Sequence, residues 1–331
     1  MNTETLDQPI VADVAVSAPA VVIESAAPAV AAVAEGPNPF IALGLDGALV
    51  RAVSDLGYTQ PTEVQAKVIP LAMGSGKADE ASIDLMVSSQ TGSGKTAAFL
   101  LPVLNTLIAQ KAIEAAAEQA EFERQRAQAA ASGEAAPKRA KRKNPMQSRN
   151  FKAAVPGALV LCPTRELAQQ VAQDAIELVK HCKNLRVANV VGGMPYQLQI
   201  AKLQNADLVV ATPGRLLDLQ RSLQIKLDKV QFLVVDEADR MLDLGFADDL
   251  EEVHQMTAQR KQTMMFSATF APRIQQLAMR VMHDGGANVQ KITIATPQQG
   301  HDNIQQKLYW ADHAQHKRKL LDHWLRDTTI N

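Results

Sequence analysis

The sequence contains little cysteine, few aromatic residues and almost no net charge. Its 331 residues include two cysteines, Cys162 and Cys182, too few for a disulfide framework or a cysteine metal cluster and compatible with a reducing cytoplasm. The formal net charge of −1 gives no global field that would attract nucleic acid, so any such contact must come from a local patch. No uninterrupted apolar run approaches the ~20 residues that span a bilayer. We therefore expect a cytoplasmic protein without a membrane partner.

Lysine and arginine are missing from the start of the chain, and Arg51 is the first of them. A secretory signal begins with basic residues, so this segment does not have the pattern of one. Residues 1–37 consist mainly of Ala, Val and Pro with scattered acids. This composition predicts a disordered tail, and a weak amphipathic helix that binds a partner is the alternative.

Short apolar, β-branched runs recur along the rest of the chain, each followed by a polar turn and then a helical pattern. Near-continuous apolar runs are typical of buried parallel strands, and their alternation with helices indicates a doubly wound α/β fold with a mainly parallel sheet of about seven strands. The predicted strands are Asp84–Ser88, Ala158–Cys162, Arg186–Val191, Asp207–Ala211, Val230–Val235, Thr263–Phe266 and Val289–Ile294.

Two stretches interrupt this alternation. Met73–Ile83 adds a polar loop before the first strand, and residues 110–152 form a long insertion. The part of the insertion from Lys111 to Ala131 is rich in Ala, Glu and Gln and is predicted to be helical. The basic run Lys138–Lys143 is interpreted as a solvated loop, with an additional nucleic-acid patch as the alternative.

A glycine-rich segment follows the first predicted strand. Glycines let a backbone wrap closely around phosphates, and amides at the start of a helix favour anions. In such a loop Lys95 would neutralise the β- and γ-phosphates of ATP, and the Thr96 hydroxyl would ligate Mg²⁺. The general pattern has glycine where Ser89 stands. The candidate ATP-binding residues here are Ser89, Gln90, Thr91, Gly92, Ser93, Gly94, Lys95 and Thr96.

A second glycine-lysine pair at Gly76-Lys77 provides a comparison. Ala78 stands where a hydroxyl is required, and no strand precedes the segment. We interpret it as an ordinary loop.

Adjacent acids end the strand predicted at Val230–Val235. Asp236 is a candidate Mg²⁺ ligand acting through the nucleotide, and Glu237 is a candidate for orienting the attacking water. The alternative is that these acids only cap the following helix, which Asp239 could do in any case. Asp236, Glu237 and Lys95 are the candidate catalytic residues.

Asp236-Glu237-Ala238-Asp239 is the signature of the DEAD-box RNA helicases, and residues 38 to about 325 resemble the first RecA-like domain of that family. Ser89 stands where the family usually has Ala, a change that we do not expect to matter. The other matching motifs are Gly57–Gln65 with Phe40 upstream (the Q motif), Pro163–Ala168, Gly192-Gly193, Thr212–Arg215 and Ser267–Thr269.

The resemblance implies a nucleotide-selecting role for Gln65. Its amide can donate to and accept from the adenine edge, which would favour ATP over GTP. Tyr58 or Phe40 is expected to stack on the base. Taken alone, Gln65 could equally be a surface polar residue on a helix.

The resemblance also implies RNA contacts. These residues are small, hydroxylated or basic, which suits the sugar–phosphate backbone and predicts sequence-independent, salt-sensitive binding. No aromatic residue is interleaved with them, so a base-stacking platform is not expected. Each could instead belong to an ordinary strand-to-helix turn. The candidates are Pro163, Thr164, Arg165, Gly192, Gly193, Thr212, Pro213, Gly214 and Arg215.

In the family, the motif at Ser267 and Thr269 couples the nucleotide state to RNA handling through hydrogen bonds to Asp239. The same hydroxyls could simply satisfy a turn. The sequence does not separate these interpretations.

The resemblance divides the chain into a first domain (38–295), a linker (296–303) and the start of a second RecA-like domain (304–331), with a helix at His316–Arg326. The family's second domain supplies arginines to the γ-phosphate. We therefore expect this chain to bind Mg·ATP and RNA weakly and to unwind nothing alone.

The main functional hypothesis is an ATP-dependent RNA helicase. The alternatives are a nucleotide-gated RNA-binding module without turnover and a DNA-directed translocase. The residue types do not distinguish RNA from DNA here, because contacts to the 2′-hydroxyl cannot be inferred from the sequence.

Overall fold

The computed structural model describes residues 38–74, 83–132, 152–294 and 310–326. The predicted tail at 1–37, the basic run at 138–143 and the linker at 296–303 lie outside these ranges. The division of the chain into two RecA-like domains therefore stays a prediction.

The described residues form one parallel sheet in the order β3-β4-β2-β5-β6-β1-β7. All six strand pairings are parallel. The predicted strands are confirmed, each with bounds that differ by at most two residues. The strands are β1 Leu85–Ser88, β2 Ala158–Leu161, β3 Val187–Val190, β4 Leu208–Ala211, β5 Phe232–Val235, β6 Gln262–Ser267 and β7 Gln290–Thr293.

Burial along the strands follows their place in the sheet. Every residue of β1, β2, β4, β5 and β6 is buried. In the edge strand β3 buried residues alternate with half-buried ones, and β7 at the other edge buries only Ile292. Inner strands covered on both faces need continuous apolar sequence, which explains why the apolar runs located them so well.

Local signals set where several helices begin. Asp46, Thr62 and Thr164 each accept a hydrogen bond from an amide in the first turn of the helix that follows, while Pro213 and Pro272 occupy first-turn positions that need no amide hydrogen. The helices are α1 Gly47–Asp55, α2 Glu63–Met73, α3 Lys95–Ser132, α4 Arg165–Leu178, α5 Tyr196–Leu203, α6 Pro213–Arg221, α7 Ala238–Asp243, α8 Ala247–Met256, α9 Pro272–Val281 and α10 Ala314–Leu325, with 3-10 turns at Ile41–Leu43 and His283–Gly286.

Helices cover the two faces of the sheet in separate layers. One apolar cluster joins helices α1 to α4 to one face, and the other joins α5 to α9 to the opposite face. In the first layer the rings of Phe99 on α3 and Phe266 on β6 lie 5.2 Å apart. The result is the three-layer α/β/α sandwich expected of a doubly wound fold.

Helix α3 is longer than predicted, because the helical part of the insertion continues the helix that begins at Lys95. At 38 residues it is roughly 57 Å long. Its buried residues lie mainly between Ala97 and Leu107, after which paired contacts hold it at the amino edge of the sheet: Lys111 Nζ lies 2.8 Å from Asp207 Oδ1, and the side-chain amides of Gln110 and Gln231 exchange hydrogen bonds of 2.7 and 3.0 Å.

By length and composition, one stretch of α3 could also cross a membrane, but half of that stretch is buried inside the protein. The core helix of a globular domain has the same composition.

The helix predicted at His316–Arg326 is present as α10, and none of its residues is buried.

Candidate functional site

Because the strands are parallel, the loops at their carboxyl ends meet along one edge of the sheet. The glycine-rich loop follows β1 and the acidic pair follows β5, with only β6 between them. A cleft of about 690 Å³ is lined by Lys95, Thr96, Asp236 and Glu237 together. The two segments that the sequence singled out therefore face the same cavity, as ligand binding at the carboxyl ends of parallel strands requires.

The glycine-rich loop needs its glycines for conformation and for space. Gly92 and Gly94 adopt φ values of 77° and 88°, in the left-handed region that favours glycine. A Cβ on Gly94 would lie 2.6 Å from Gln65 Nε2. Lys95 Nζ donates to the carbonyls of Ser89 at 2.8 Å and Gln90 at 3.0 Å. The loop thus supplies the lysine with oxygen partners of its own.

Ser89 makes one contact through its hydroxyl that an alanine could not make, and one through its backbone that an alanine could. Its buried hydroxyl accepts a hydrogen bond from Ser93 Oγ at 3.1 Å, and its amide donates to the Ser267 carbonyl at 3.2 Å. The hydroxyl therefore ties the two ends of the loop together, although we expected the residue at this position not to matter.

Asp236 is buried and sparsely hydrogen-bonded. It is 3% exposed, and its Oδ1 accepts one hydrogen bond of 3.0 Å from the Glu237 amide. Burial raises the pKa of this carboxyl to about 6, and the nearby Lys95 ammonium partly opposes the rise. An added cation would stabilise the ionised form of the Asp236 carboxyl, as expected of a side chain that can ligate a metal ion.

The next residue has an unusual backbone. Glu237 adopts φ 51° and ψ 54°, in the left-handed region. For a residue other than glycine this conformation costs about 1–2 kcal/mol. Such strain is concentrated at functional sites, where the surrounding fold holds it in place.

The cleft residues fit a magnesium nucleotide better than a bare metal. No group of three His, Cys, Asp or Glu side chains suited to hold an ion occurs within the described ranges. The donor set combines loop amides, the Lys95 ammonium, the Thr96 hydroxyl and the Asp236 carboxylate, so the residues present suit an ion that takes most of its ligands from phosphates and water.

Gln65 lines the cleft but is already engaged. Its Oε1 accepts from the Thr62 amide at 3.0 Å, and its Nε2 donates to the Gly94 carbonyl at 3.2 Å. It is 4% exposed and thereby connects the start of α2 to the glycine-rich loop. A side-chain amide has two hydrogens and two lone pairs, so one of each is left for a base.

The two aromatic candidates are placed differently. Tyr58 is 41% exposed and lines the cleft. Phe40 is fully buried in the core beneath α1 and α2 and does not line the cleft, so in this conformation it is not placed to stack on a ligand. Its apolar ring contributes more to that core than it could at the surface.

The sequence prediction missed the cleft wall formed by α4, where Gln170, Asp174 and Glu177 face the Tyr58 side. The pKa of Tyr58 is raised by burial and then by these two carboxylates. Their spacing of four and then three residues on one helix face was the available signal.

The candidate RNA motifs follow β2, β3 and β4, which are neighbours at one side of the same edge. Thr164 accepts a hydrogen bond of 3.3 Å from the Leu167 amide and so caps α4, and Pro163 is buried. Thr212 precedes α6 without a side-chain cap, and Pro213 occupies its first turn. The capping interpretation therefore applies to Thr164 and not to Thr212.

Two arginines share this part of the edge. A Cβ on Gly193 would lie 2.4 Å from Arg165 Nη1, so the guanidinium rests on the glycine loop after β3. The Arg215 guanidinium lies over the Tyr196 ring, 5.6 Å from its centre. In the described part of the chain, neither arginine forms an ion pair.

Tyr196 is an aromatic neighbour of Arg215 that the sequence motifs did not reveal. It is distant from Arg215 in sequence, but β3 and β4 are adjacent and the helices that follow them begin side by side. Only the strand order reveals this proximity.

The expected bonds from Ser267 and Thr269 to Asp239 do not occur among the described residues. The buried Ser267 hydroxyl has no partner there. The segment is instead joined to the glycine-rich loop, through Ser88 Oγ donating to the Ala268 carbonyl at 2.9 Å and the Ser89 amide donating to the Ser267 carbonyl. In this conformation the contact runs to β1, because the whole of β1 is paired with the last four residues of β6.

Comparison with known proteins gives a consistent picture. The sequence profile of the DEAD/DEAH box helicase family matches residues 62–277. The chain is 39% identical over 288 residues to DEAD-box ATP-dependent RNA helicase 52A of Oryza sativa subsp. japonica, covering 86% of this chain and 42% of that protein. It is 36% identical over 289 residues to ATP-dependent RNA helicase SrmB of Escherichia coli K12, covering 87% and 54% respectively. The chain thus spans about half the length of these curated relatives.

Solved structures have the same fold. A hypothetical ATP-dependent RNA helicase from Sulfolobus tokodaii superposes with a TM-score of 0.56 at 32% identity, over 76% of this chain and 57% of that one. A DEAD box protein from Methanococcus jannaschii gives a TM-score of 0.56 at 31% identity, over 77% and 55%.

Proposed function

The chain belongs to the DEAD/DEAH box helicase family, and we propose that it binds and hydrolyses Mg·ATP to separate RNA strands locally. The observation that carries the proposal is the single cleft shared by Lys95, Thr96, Asp236 and Glu237. Phosphate-binding groups and carboxylates converge there from strands that are distant in sequence, and neither set alone would suggest turnover.

On the nucleotide side, each residue has a proposed task. The loop amides and Lys95 hold the phosphates, which requires Lys95 to exchange its bonds to the carbonyls of Ser89 and Gln90 for phosphate oxygens. Thr96 and Asp236 would hold the magnesium ion, and Glu237 orients the attacking water. Bound Mg·ATP supplies the phosphoryl group and the charge neutralisation that its transfer needs.

On the nucleic-acid side, the edge after β2, β3 and β4 offers two guanidiniums without ion pairs in the described chain, Arg165 and Arg215. Guanidinium donors match phosphate oxygens and read no base, so binding is proposed to be independent of sequence. The choice of RNA over DNA rests on relatives whose names describe RNA helicases.

The curated relatives extend well beyond the matched region. Strand separation is therefore proposed for a protein with two RecA-like domains, in which closure of the cleft brings arginines of the second domain to the γ-phosphate. For the present chain we propose weak binding of Mg·ATP and RNA.

The proposal is tested by measuring phosphate release from ATP with and without poly-U. We expect Lys95→Ala to abolish nucleotide binding and Glu237→Gln to keep binding but stop turnover. Lys67→Ala, which removes an exposed lysine paired with Glu63 on α2, is the matched control and should change neither. Nucleotide binding that survives in Lys95→Ala would contradict the assignment of the cleft.

Two further results refine the proposal. RNA binding that depends on nucleotide but yields no phosphate release would favour the nucleotide-gated binding module. Equal competition by poly-U and its deoxy analogue would favour a DNA-directed activity.

A further inference from the structure

The first turn of α5 contacts Arg215 directly and also contacts the glycine loop on which Arg165 lies. We propose that Tyr196 and Gln199, on this turn, are positioning residues for RNA binding: Tyr196 orients Arg215, and Gln199 fixes the loop on which Arg165 lies. The inference rests on the proposed function, since it concerns how that surface is organised.

Gln199 closes the loop between β3 and α5. It is fully buried, and its Nε2 donates to the carbonyls of Val191 at 2.9 Å and Met194 at 3.0 Å. These two carbonyls bracket Gly192 and Gly193, so both hydrogens of one amide fix the two ends of the glycine loop. Its Oε1 is buried without a partner among the described residues. A buried oxygen without a hydrogen bond costs free energy. The two bonds from the Gln199 amide to the loop must therefore stabilise the protein by more than this cost.

Arg165 depends on the shape of that loop. Its side chain reaches from the start of α4, past the end of β4, to the loop after β3, where Cβ atoms on Gly193 and Gly192 would lie 2.4 Å from its Nη1 and 3.8 Å from its Cδ. No carboxylate in the described chain pairs with it. Packing against the glycine backbone is therefore what directs this guanidinium.

The position of the Arg215 guanidinium depends on an aromatic ring in the same way. The centre of its guanidinium lies 5.6 Å from the centre of the half-buried Tyr196 ring. A guanidinium that lies over an aromatic face loses none of its N–H donors, because these point outward in its own plane. The ring can therefore hold Arg215 in place and leave its donors available for a phosphate.

The test is a double-mutant cycle on this chain with fluorescently labelled poly-U at several salt concentrations. We expect Arg215→Gln to weaken binding about tenfold, as the loss of a charge-assisted hydrogen bond would. Tyr196→Leu should weaken it about two- to fivefold, the contribution of an exposed cation–π contact. Tyr196→Phe keeps the ring and should bind like the unaltered chain.

Two readouts separate positioning from a general structural role. In the Arg215→Gln background, Tyr196→Leu should have no further effect on affinity. The slope of log affinity against log salt should shrink by about 0.7 in Arg215→Gln, the value for one lost phosphate contact on a single strand, and by part of that in Tyr196→Leu. Nucleotide affinity and melting temperature should not change in either variant.

A Tyr196→Leu penalty that persists in the Arg215→Gln background would overturn the proposal and indicate that the ring contacts RNA itself. Weak binding by Tyr196→Phe would overturn it as well, because the hydroxyl would then be the active group. If the unaltered chain does not bind RNA, the proposed function fails and the inference with it.

The free protein gives an independent check of the contact. The Arg215 Nε–H resonance should carry a ring-current shift that Tyr196→Leu removes and Tyr196→Phe retains. Lack of that shift alongside normal RNA binding would refute the inference and leave the proposed function standing.

Gln199 is tested in the same way. Gln199→Leu should weaken RNA binding in the unaltered background and have no further effect in Arg165→Gln. Should the leucine variant fail to fold, Gly193→Ala displaces Arg165 without changing Gln199 and is expected to give the same loss. Full RNA affinity in a folded Gly193→Ala variant would contradict the role of the loop.

Discussion

Two buried aspartates lie at opposite ends of the same sheet and are bonded very differently. Asp84 precedes β1 at the amino edge and is 4% exposed, and Asp236 follows β5 at the carboxyl edge and is 3% exposed. Asp84 accepts from the Thr263 amide at 2.6 Å, the His283 amide at 2.8 Å and the His283 ring at 2.9 Å. Asp236 accepts one bond from its neighbour's amide. Among the described residues, the Asp84 carboxylate therefore has three hydrogen-bond donors and the Asp236 carboxylate has one.

The arginines differ in the same way. At the amino edge Arg260 donates to Thr263 Oγ1 at 2.7 Å and to the Val281 carbonyl at 2.8 Å. At the carboxyl edge Arg165 lies against a glycine loop and Arg215 over an aromatic ring, and neither forms an ion pair with the described residues. Polar groups whose hydrogen bonds are all formed within the protein stabilise the fold. Groups with unused donors or acceptors are available to bind a ligand. The comparison predicts that substitution of the two buried aspartates changes stability in opposite directions.

The largest stability effect is expected at Asp84. Asp84→Ala leaves the buried amide of Thr263 and the amide of His283 without an acceptor. We expect a loss of about 2–3 kcal/mol in the free energy of unfolding, because removing one partner of a buried pair leaves the other uncompensated. Urea unfolding followed by circular dichroism measures it.

Asp243→Ala is the matched control for Asp84→Ala. Asp243 is 56% exposed and pairs with Arg273, so the change should cost less than about 0.5 kcal/mol. Equal losses in the two variants would remove the distinction between the edges.

Asp236→Asn should instead stabilise the metal-free protein above pH 6. The pKa of Asp236 is about 6 in the folded chain, against an ordinary value of 3.8. The folded state therefore binds more protons, and the free energy of unfolding falls as pH rises from about 4 to 6. An asparagine does not titrate and should gain about 3 kcal/mol at pH 8 over the unaltered chain, a difference that shrinks below pH 6.

Unfolding in a chelating buffer between pH 4.5 and 8 checks this expectation. Glu237→Gln is the control, because Asp236 still titrates in it. Its pH dependence should remain but become smaller, since the Glu237 charge contributes to the raised pKa of Asp236. A less stable Asp236→Asn variant at pH 8 would show that the buried carboxylate is satisfied after all.

A smaller effect separates two glycines of the nucleic-acid edge. Gly193 has φ 79° and would place a methyl group against Arg165, whereas a Cβ on Gly214 meets nothing within 4 Å. Gly193→Ala should lower the free energy of unfolding by about 1–2 kcal/mol, and Gly214→Ala should leave it nearly unchanged. Thermal unfolding of both variants measures this difference. Equal melting temperatures would contradict the expectation that the conformation of Gly193 requires glycine.

The smallest effect is expected at Ser89, where the hydroxyl bonds Ser93. Ser89→Ala should cost about 0.5–1 kcal/mol of stability, the usual contribution of one hydrogen bond. Nucleotide titrations should show little change in affinity. A large change in affinity would mean that the hydroxyl controls the shape of the glycine-rich loop.

Prediction from sequence worked best where a local pattern has one physical cause. The inner strands were located because burial on both faces demands continuous apolar residues. The glycine-rich loop was found for the same reason, since its left-handed glycines occupy fixed positions.

Prediction failed where contacts cross the chain. Phe40 is part of the core and does not line the cleft, and the Ser267 hydroxyl makes no bond to Asp239 in the described chain. Tyr196 was missed because its partner Arg215 belongs to the next strand-helix unit. Phe40 and Ser267 were named as candidates and Tyr196 was not, but in no case could the contact be read from neighbouring residues.

The sequence by itself determined the strands, the glycine-rich loop and the acidic pair, because short-range periodicity and steric demands are encoded within a few neighbouring residues. Tertiary structure alone decided which loops share the cleft, that the buried Asp236 carboxylate accepts one bond from the described residues, and that the first turn of α5 contacts Arg215 and the loop on which Arg165 lies. These features follow from the order β3-β4-β2-β5-β6-β1-β7. That order brings distant segments within hydrogen-bonding distance. It also removes water from between them, which strengthens the electrostatic interactions of the charged groups at the site and shifts their pKa values.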